Sequence, residues 1–179
     1  MKTLKILISV QLTLGLLACP TVDPDEDPLP AVEELFPGDS EVGSWVRDAD
    51  PIDVATSNQE ALDLINGEAT AFIDRDFVAF AMGGYEDGQS TLELRIWEFA
   101  DAATAKDLYD NIPDEFGEYQ VPWEDAAVGE AGRIVNPGTR WWLNTHEGIY
   151  FIEVIVRPTD AGLRQATLDF ALVVVASLP

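Results

Sequence analysis

The chain has 179 residues, 33 of them Asp or Glu against 10 Lys or Arg, with one His, one Cys and 47% apolar residues. One cysteine excludes a disulfide within the chain and a thioredoxin-type redox motif, and one histidine excludes zinc fingers and cages of several histidines. The length and the apolar content predict one ordinary domain with its own core, while a formal net charge of −23 pulls toward disorder.

Met1 to Cys19 begins with Lys2 and Lys5, continues through an apolar run from Ile6 to Leu17 and ends in Leu16-Leu17-Ala18-Cys19. A basic flank, an apolar stretch of about a dozen residues and a small residue before the cut are the features of an export signal. The run is shorter than the ~20 apolar residues that a membrane-crossing helix needs. Its last four residues resemble a bacterial lipobox, which implies that Cys19 is acylated and becomes the first residue of a lipid-anchored mature chain. Each buried CH₂ of the acyl chains adds about 0.8 kcal/mol, so several chains on one residue hold firmly. The expected place is the bacterial cell envelope, and Pro20 after the cysteine, in the enterobacterial sorting pattern, points to the outer membrane. Without its signal the chain keeps all 33 acids and eight bases, a net charge of −25. Such a surface repels nucleic acid and anionic headgroups.

Pro20 to Glu34 holds four prolines and six acids in fifteen residues, the composition of a stiff, disordered acidic tether. A single α+β domain is expected over 35–179. Ser57-Asn58-Gln59-Glu60 reads as a capping box, and Leu62, Ile65, Ala69, Phe72 and Ile73 extend one apolar stripe, so a helix is predicted over 58–73. Gly67 inside it calls for a reason such as close packing on a strand. Phe77 to Met82 reads as a central strand, Glu86-Asp87-Gly88 as a turn, and Leu92, Leu94 and Ile96 as one face of the return strand. Asp101 caps a second helix that Pro113 is expected to stop. Residues 114–127 read as a loop carrying Trp123, followed by strands at about 128–135, 139–145 and 149–157. In the last of these Tyr150, Ile152, Val154 and Val156 share a face. A final helix starts at Asp160, with Leu163, Ala166, Phe170, Val173, Val174 and Ser177 as its inner stripe. With a strand before the first helix, the pattern predicts a mainly antiparallel sheet of about five to six strands with about three helices packed largely on one face.

Leu35-Phe36-Pro37, Gly43-Ser44-Trp45, Ile65-Asn66-Gly67-Glu68-Ala69, Asp76-Phe77 and the helix start Asp101-Ala102-Ala103-Thr104-Ala105 resemble an uncharacterised bacterial family of exported, often lipid-anchored domains. Its pattern runs LFP, GW, INGGA, GF and Y, then a strand and a helix. The resemblance spans about residues 35–110 and implies a compact exported domain without adding a catalytic residue. Glu68 stands where the pattern has its second glycine.

Catalytic signatures are sparse. His146 falls at a predicted hairpin tip, where exposure would leave its pKa ordinary, and G-x-S-x-G, S-x-x-K, Walker A and H-E-x-x-H motifs are absent from the sequence. No catalytic residue, metal ligand or cofactor is therefore assigned. Paired acids remain as a route to glycan hydrolysis, with Glu93 and Glu153 at outward strand positions or Asp74 and Asp76 as candidates. Asp74 and Asp76, or Asp48 and Asp50, suit a hard cation without the loop of a calcium site. The aromatic residues suggest more: Trp97, Trp123 and Trp141 or Trp142 could line a platform for a sugar, a peptide or a lipid-like ligand. The expectation is a non-enzymatic, membrane-anchored domain that binds a small ligand, a peptide or an envelope protein, or serves structurally. An envelope glycan hydrolase or a subunit of an envelope complex is the alternative.

Overall fold

The computed structural model describes residues 29–115 and 121–179. The export signal, Cys19 and most of the tether lie outside them. The first element begins three residues before the expected domain start at residue 35. A 3₁₀ turn at Val32–Leu35 buries Val32 and Leu35 in the core, because the acidic run gives way there to alternating apolar side chains.

Eight strands form one antiparallel sheet: β1 (Val46–Arg47), β2 (Asp53–Ala55), β3 (Ala79–Asp87), β4 (Ser90–Glu98), β5 (Glu124–Ala126), β6 (Ala131–Val135), β7 (Trp141–Glu147) and β8 (Tyr150–Arg157). Their order is β1-β3-β4-β8-β7-β6-β5, and β2 pairs with β3 beyond the end of β1. The α+β class and the hairpins β3–β4 and β7–β8 agree with the sequence; the strand count exceeds the expected five or six. The two beyond the expected six are β5 and a second strand before α1, where β1 and β2 stand in place of one; all three are pieces of two or three residues, too short to show an alternation.

Helices α1 (Asn58–Ile65), α2 (Thr70–Ile73) and α3 (Ala102–Glu115) cover one face of the sheet, where Ala61, Phe72, Leu108 and Ile112 meet Phe80, Trp97 and Phe151. On the other face, α4 (Leu163–Ser177) and the segment from Val32 to Trp45 pack on Leu94, Ile96, Ile152 and Val154. The helices predicted over 58–73 and from Asp101 share one face, the first of them divided into α1 and α2, and the third predicted helix, α4, closes the opposite face. Every residue of β8 except Arg157 is therefore buried.

Local chemistry explains the helix ends. The Ser57 hydroxyl accepts a hydrogen bond from the Glu60 N–H, and Glu60 Oε2 accepts from the Thr56 N–H at 3.0 Å, reciprocal satisfaction of two free donors. Asp101 Oδ1 caps α3 by accepting from the Thr104 N–H at 2.8 Å. The predicted helix over 58–73 breaks at Asn66, whose φ is +53°, and proceeds as a 3₁₀ turn, Asn66–Ala69, before α2. Gly67 belongs to that break: a Cβ there would meet nothing within 4 Å, so close packing is not its role. Pro113 does not stop α3, which continues to Glu115. The final helix starts at Leu163, three residues after its expected start at Asp160.

Candidate functional site

Register places one row of directly opposed residues across the sheet on the face of α1–α3: Asp53, Met82, Arg95, Glu153, Asn144, Arg133 and Asp125. Such a row would be apolar under a complete helical cover. Here the helices cover the preceding row, which includes Phe80, Trp97, Phe151 and His146, so the polar row marks the margin of that layer.

Arg95 is the hub of the row. Its side chain is 11% exposed, its Nη2 lies 2.6 Å from Glu93 Oε1, and its Nη1 lies 2.8 Å from Glu68 Oε2 and 3.8 Å from Glu153 Oε2. Burial alone would lower the pKa of the guanidinium, but Glu153, Glu93 and Glu68 outweigh it and raise it above the ordinary arginine value. Glu153 is 1% exposed, and burial, opposed by Arg95 and assisted by Glu68 and Glu93, pushes its carboxyl up to about 7. Neither of its oxygens has a hydrogen-bond partner, nor does Oδ1 of buried Asn144 opposite.

The outward position expected for Glu153 is thus an inward one. The alternation in β8 was correct, but both faces of a central strand are covered, so an acid lies in the interior. This burial removes the glycan-hydrolase pairing of Glu93 with Glu153, because a sugar finds no surface on Glu153 to contact. His146 is corrected likewise: it lies in β7, 2% exposed, with the Tyr109 ring 5.1 Å away. Burial lowers its pKa, and Glu130 partly opposes the shift.

Beyond the polar row the same face opens into a pocket of about 270 Å³, walled by Asp48, Asp50, Pro51 and Asp53 on one side and by Glu93, Thr91 and Arg157 on the other. Met82, Gly83 and Gly84 form its floor. Gly84 is what lets the wall approach: Asp48 N–H donates to Gly84 O at 3.1 Å, and a Cβ on Gly84 would lie 1.8 Å from Asp48 Oδ2. Glu93 belongs to both the pocket and the Arg95 cluster. Arg157 makes no ion pair among the described residues, although acids outnumber it in the lining. Four of the eight bases that follow the export signal, Arg95, Arg133, Arg140 and Arg157, lie on this face or at its rim.

The four tryptophans proposed as a platform do not come together. Trp97 is 0% exposed, stacked at 3.7 Å on Phe72 and at 3.9 Å on Phe80 with Phe77 edge-on, a core residue that no ligand touches. Trp141 and Trp142 point to opposite faces, as neighbours in a strand must. The Trp141 indole donates to Asp160 O at 3.0 Å on the α4 side. Trp142 and Trp123 meet at 6.2 Å on the α3 side, where Arg140 lies 4.7 Å from the Trp142 ring and Arg133 5.1 Å from the Trp123 ring. Arg133 also lies 4.2 Å from the Tyr109 ring and donates to the Tyr109 carbonyl. These rings and guanidinium groups cover one another, and Trp142 is 4% exposed.

Asp74 and Asp76 are exposed between α2 and β3, and among the described residues no three of His, Cys, Asp and Glu form a group that could hold a metal ion. No described helix is long and apolar enough to cross a membrane. The pocket was missed in the sequence because it depends on β2 and the 48–53 segment folding over β3; the adjacent glycines, Gly83-Gly84 in a strand, were the signal available.

No protein-family model and no curated protein matches the chain. Its fold is similar to that in the crystal structure of the extracellular domain of PknH from Mycobacterium tuberculosis, with a TM-score of 0.50 at 13% identity over 82% of this chain and 96% of that one. The likeness is one of fold.

Proposed function

We propose that this protein is a lipid-anchored, extracytoplasmic domain of the bacterial cell envelope, non-enzymatic, that binds a small polar ligand in the pocket over Gly83 and Gly84. The lipobox-like Leu16-Leu17-Ala18-Cys19 and the fold shared with an extracellular domain support its place, and Pro20 favours the outer membrane. The acidic tether would hold the domain off the lipid surface.

The observation that carries the binding role is the pocket with charge of both signs. Asp48, Asp50, Asp53 and Glu93 suit an ammonium group, and Arg157, which makes no ion pair among the described residues, suits a carboxylate. At about 270 Å³ it falls just below the ~300–1,000 Å³ of sites for drug-sized ligands, so a free amino acid or a dipeptide is the class that matches.

A panel of free amino acids and dipeptides tested against the mature chain by NMR should shift amides of Asp48–Asp53, Gly83, Gly84 and Arg157. A ligand present at 100 times its Kd should stabilise the fold by about 2.7 kcal/mol. Gly84→Ala, which drives Asp48 off the floor, should weaken binding at least tenfold while the Arg95 cluster persists. Shifts confined to other surfaces, or affinity unchanged in Gly84→Ala, would contradict the assignment.

A further inference from the structure

One nitrogen of Arg95 stands between two acids. Nη1 hydrogen-bonds Glu68 Oε2 at 2.8 Å, whereas its 3.8 Å separation from Glu153 Oε2 exceeds a hydrogen bond. Glu153 is directly opposed to Asn144; both Glu153 oxygens and Asn144 Oδ1 are buried and make no hydrogen bond, and the donors that face the carboxyl are Arg95 Nη1 and the Trp97 indole N–H. A carboxyl buried without hydrogen bonds to its oxygens is less costly when protonated, because the neutral acid needs no counter-charge. Three carboxylates around a single guanidinium also leave excess negative charge that the interior disfavours.

We infer that Glu153 is protonated in the resting fold, and that loss of its proton draws Arg95 Nη1 from Glu68 to Glu153, releasing the 66–73 segment from the sheet. Glu68 is the partner given up because its side chain is 50% exposed and water can replace Arg95 around it. Glu68 sits in the 3₁₀ turn between α1 and α2, so this ion pair ties that break in the helix to β4. The bond exists through a residue at which the chain departs from the exported-family pattern.

The groups facing Glu153 define the response. From β4 come Arg95, Glu93 and the buried Trp97 indole N–H; from the 3₁₀ turn, Glu68; from β7, Asn144, with His146 one row away. Helix α3 contributes Tyr109, whose ring lies under Arg133 of β6. Arg95 is the cation nearest Glu153, and it is already shared. Burial holds the carboxyl near 7 instead of the usual 4.5, which puts the transition close to neutral pH. The proton stabilises the fold fully below the unfolded value of 4.5, and that contribution is lost as the pH rises through about 7.

The test is paired NMR and hydrogen exchange on the mature chain between pH 5 and pH 8.5. The ¹³C shift of the Glu153 carboxyl should titrate near neutral pH, and over the same interval protection factors of residues 66–73 should fall about two- to fivefold, the range of a partly exposed ion pair. Glu153→Gln, a permanent mimic of the protonated form, should keep those protection factors high and free of the step. Glu68→Gln, a change at a half-exposed side chain that leaves the interior intact, should give low protection at every pH while Glu153 still titrates. A Glu153 that titrates near 4.5, or a step that survives in either variant, would overturn the inference.

Discussion

Replacing Trp97 by Ala should lower the unfolding free energy by about 3–5 kcal/mol, the range of large-to-small substitutions of core aromatics. The ring is sandwiched between Phe72 of α2 and Phe80 of β3, with Phe77 edge-on, so its removal unseats the contact that binds the helical layer to the sheet. Denaturation by urea measures the effect directly. Trp141→Ala should cost less, because that ring is only partly buried and loses mainly its hydrogen bond to Asp160 and its contact with α4. The contrast separates a structural tryptophan from a ligand platform: a Trp97→Ala protein with near-normal stability would contradict the buried placement.

Arg95→Met should destabilise the domain by about 3–5 kcal/mol at pH 8, the cost of leaving a buried acid without its cation. Glu93 and Glu68 retain contact with water and contribute little to that loss, whereas Glu153 has no solvent. The penalty should shrink as the pH falls toward 5, because a protonated Glu153 is neutral and needs no counter-ion. The direction follows from its raised pKa: the ionised form is the one the fold disfavours, and the ionised form gains with rising pH. Unfolding curves of Arg95→Met and of the double variant Arg95→Met/Glu153→Leu make the check. The double variant should recover most of the loss at pH 8, since an apolar pair of similar volume replaces a buried ion pair at little cost. A penalty independent of pH would contradict the buried-charge account.

The class of fold was legible in the sequence because it rests on long periodic segments. β4 alternates along most of its nine residues, β3 and β8 carry apolar runs bounded by turns, and α3 and α4 present apolar stripes, so none of these signals depends on a distant contact. Short edge strands and helix breaks rest on tertiary context instead. Asp53–Ala55 becomes a strand only because β3 supplies its partner, and Asn66 leaves the helical region within an otherwise continuous stripe.

The site was less legible, for a physical reason visible at Glu153. Alternation correctly separated Glu153 from Ile152 and Val154, but it does not say whether the second face of a strand meets water or a helix. Three helices on that face reversed the meaning of the acid. The same cover placed Trp97 in the core and His146 out of solvent. Trp141 and Trp142 followed the alternation rule; only their partners were hidden. The pocket joins side chains nearly 110 residues apart, Asp48 to Arg157, whose meeting depends on the pairing of β3, β4 and β8.

The most direct test of the proposed function is the fate of Cys19 in a bacterium that expresses the full chain. Metabolic labelling with an alkyne-bearing fatty acid should mark the wild-type protein, and protease added outside cells whose outer membrane has been permeabilised should cleave it. Cys19→Ser should abolish the label and release the chain from the membrane fraction. A wild-type chain that carries no acyl label and stays inaccessible to protease would contradict an anchored domain of the cell envelope.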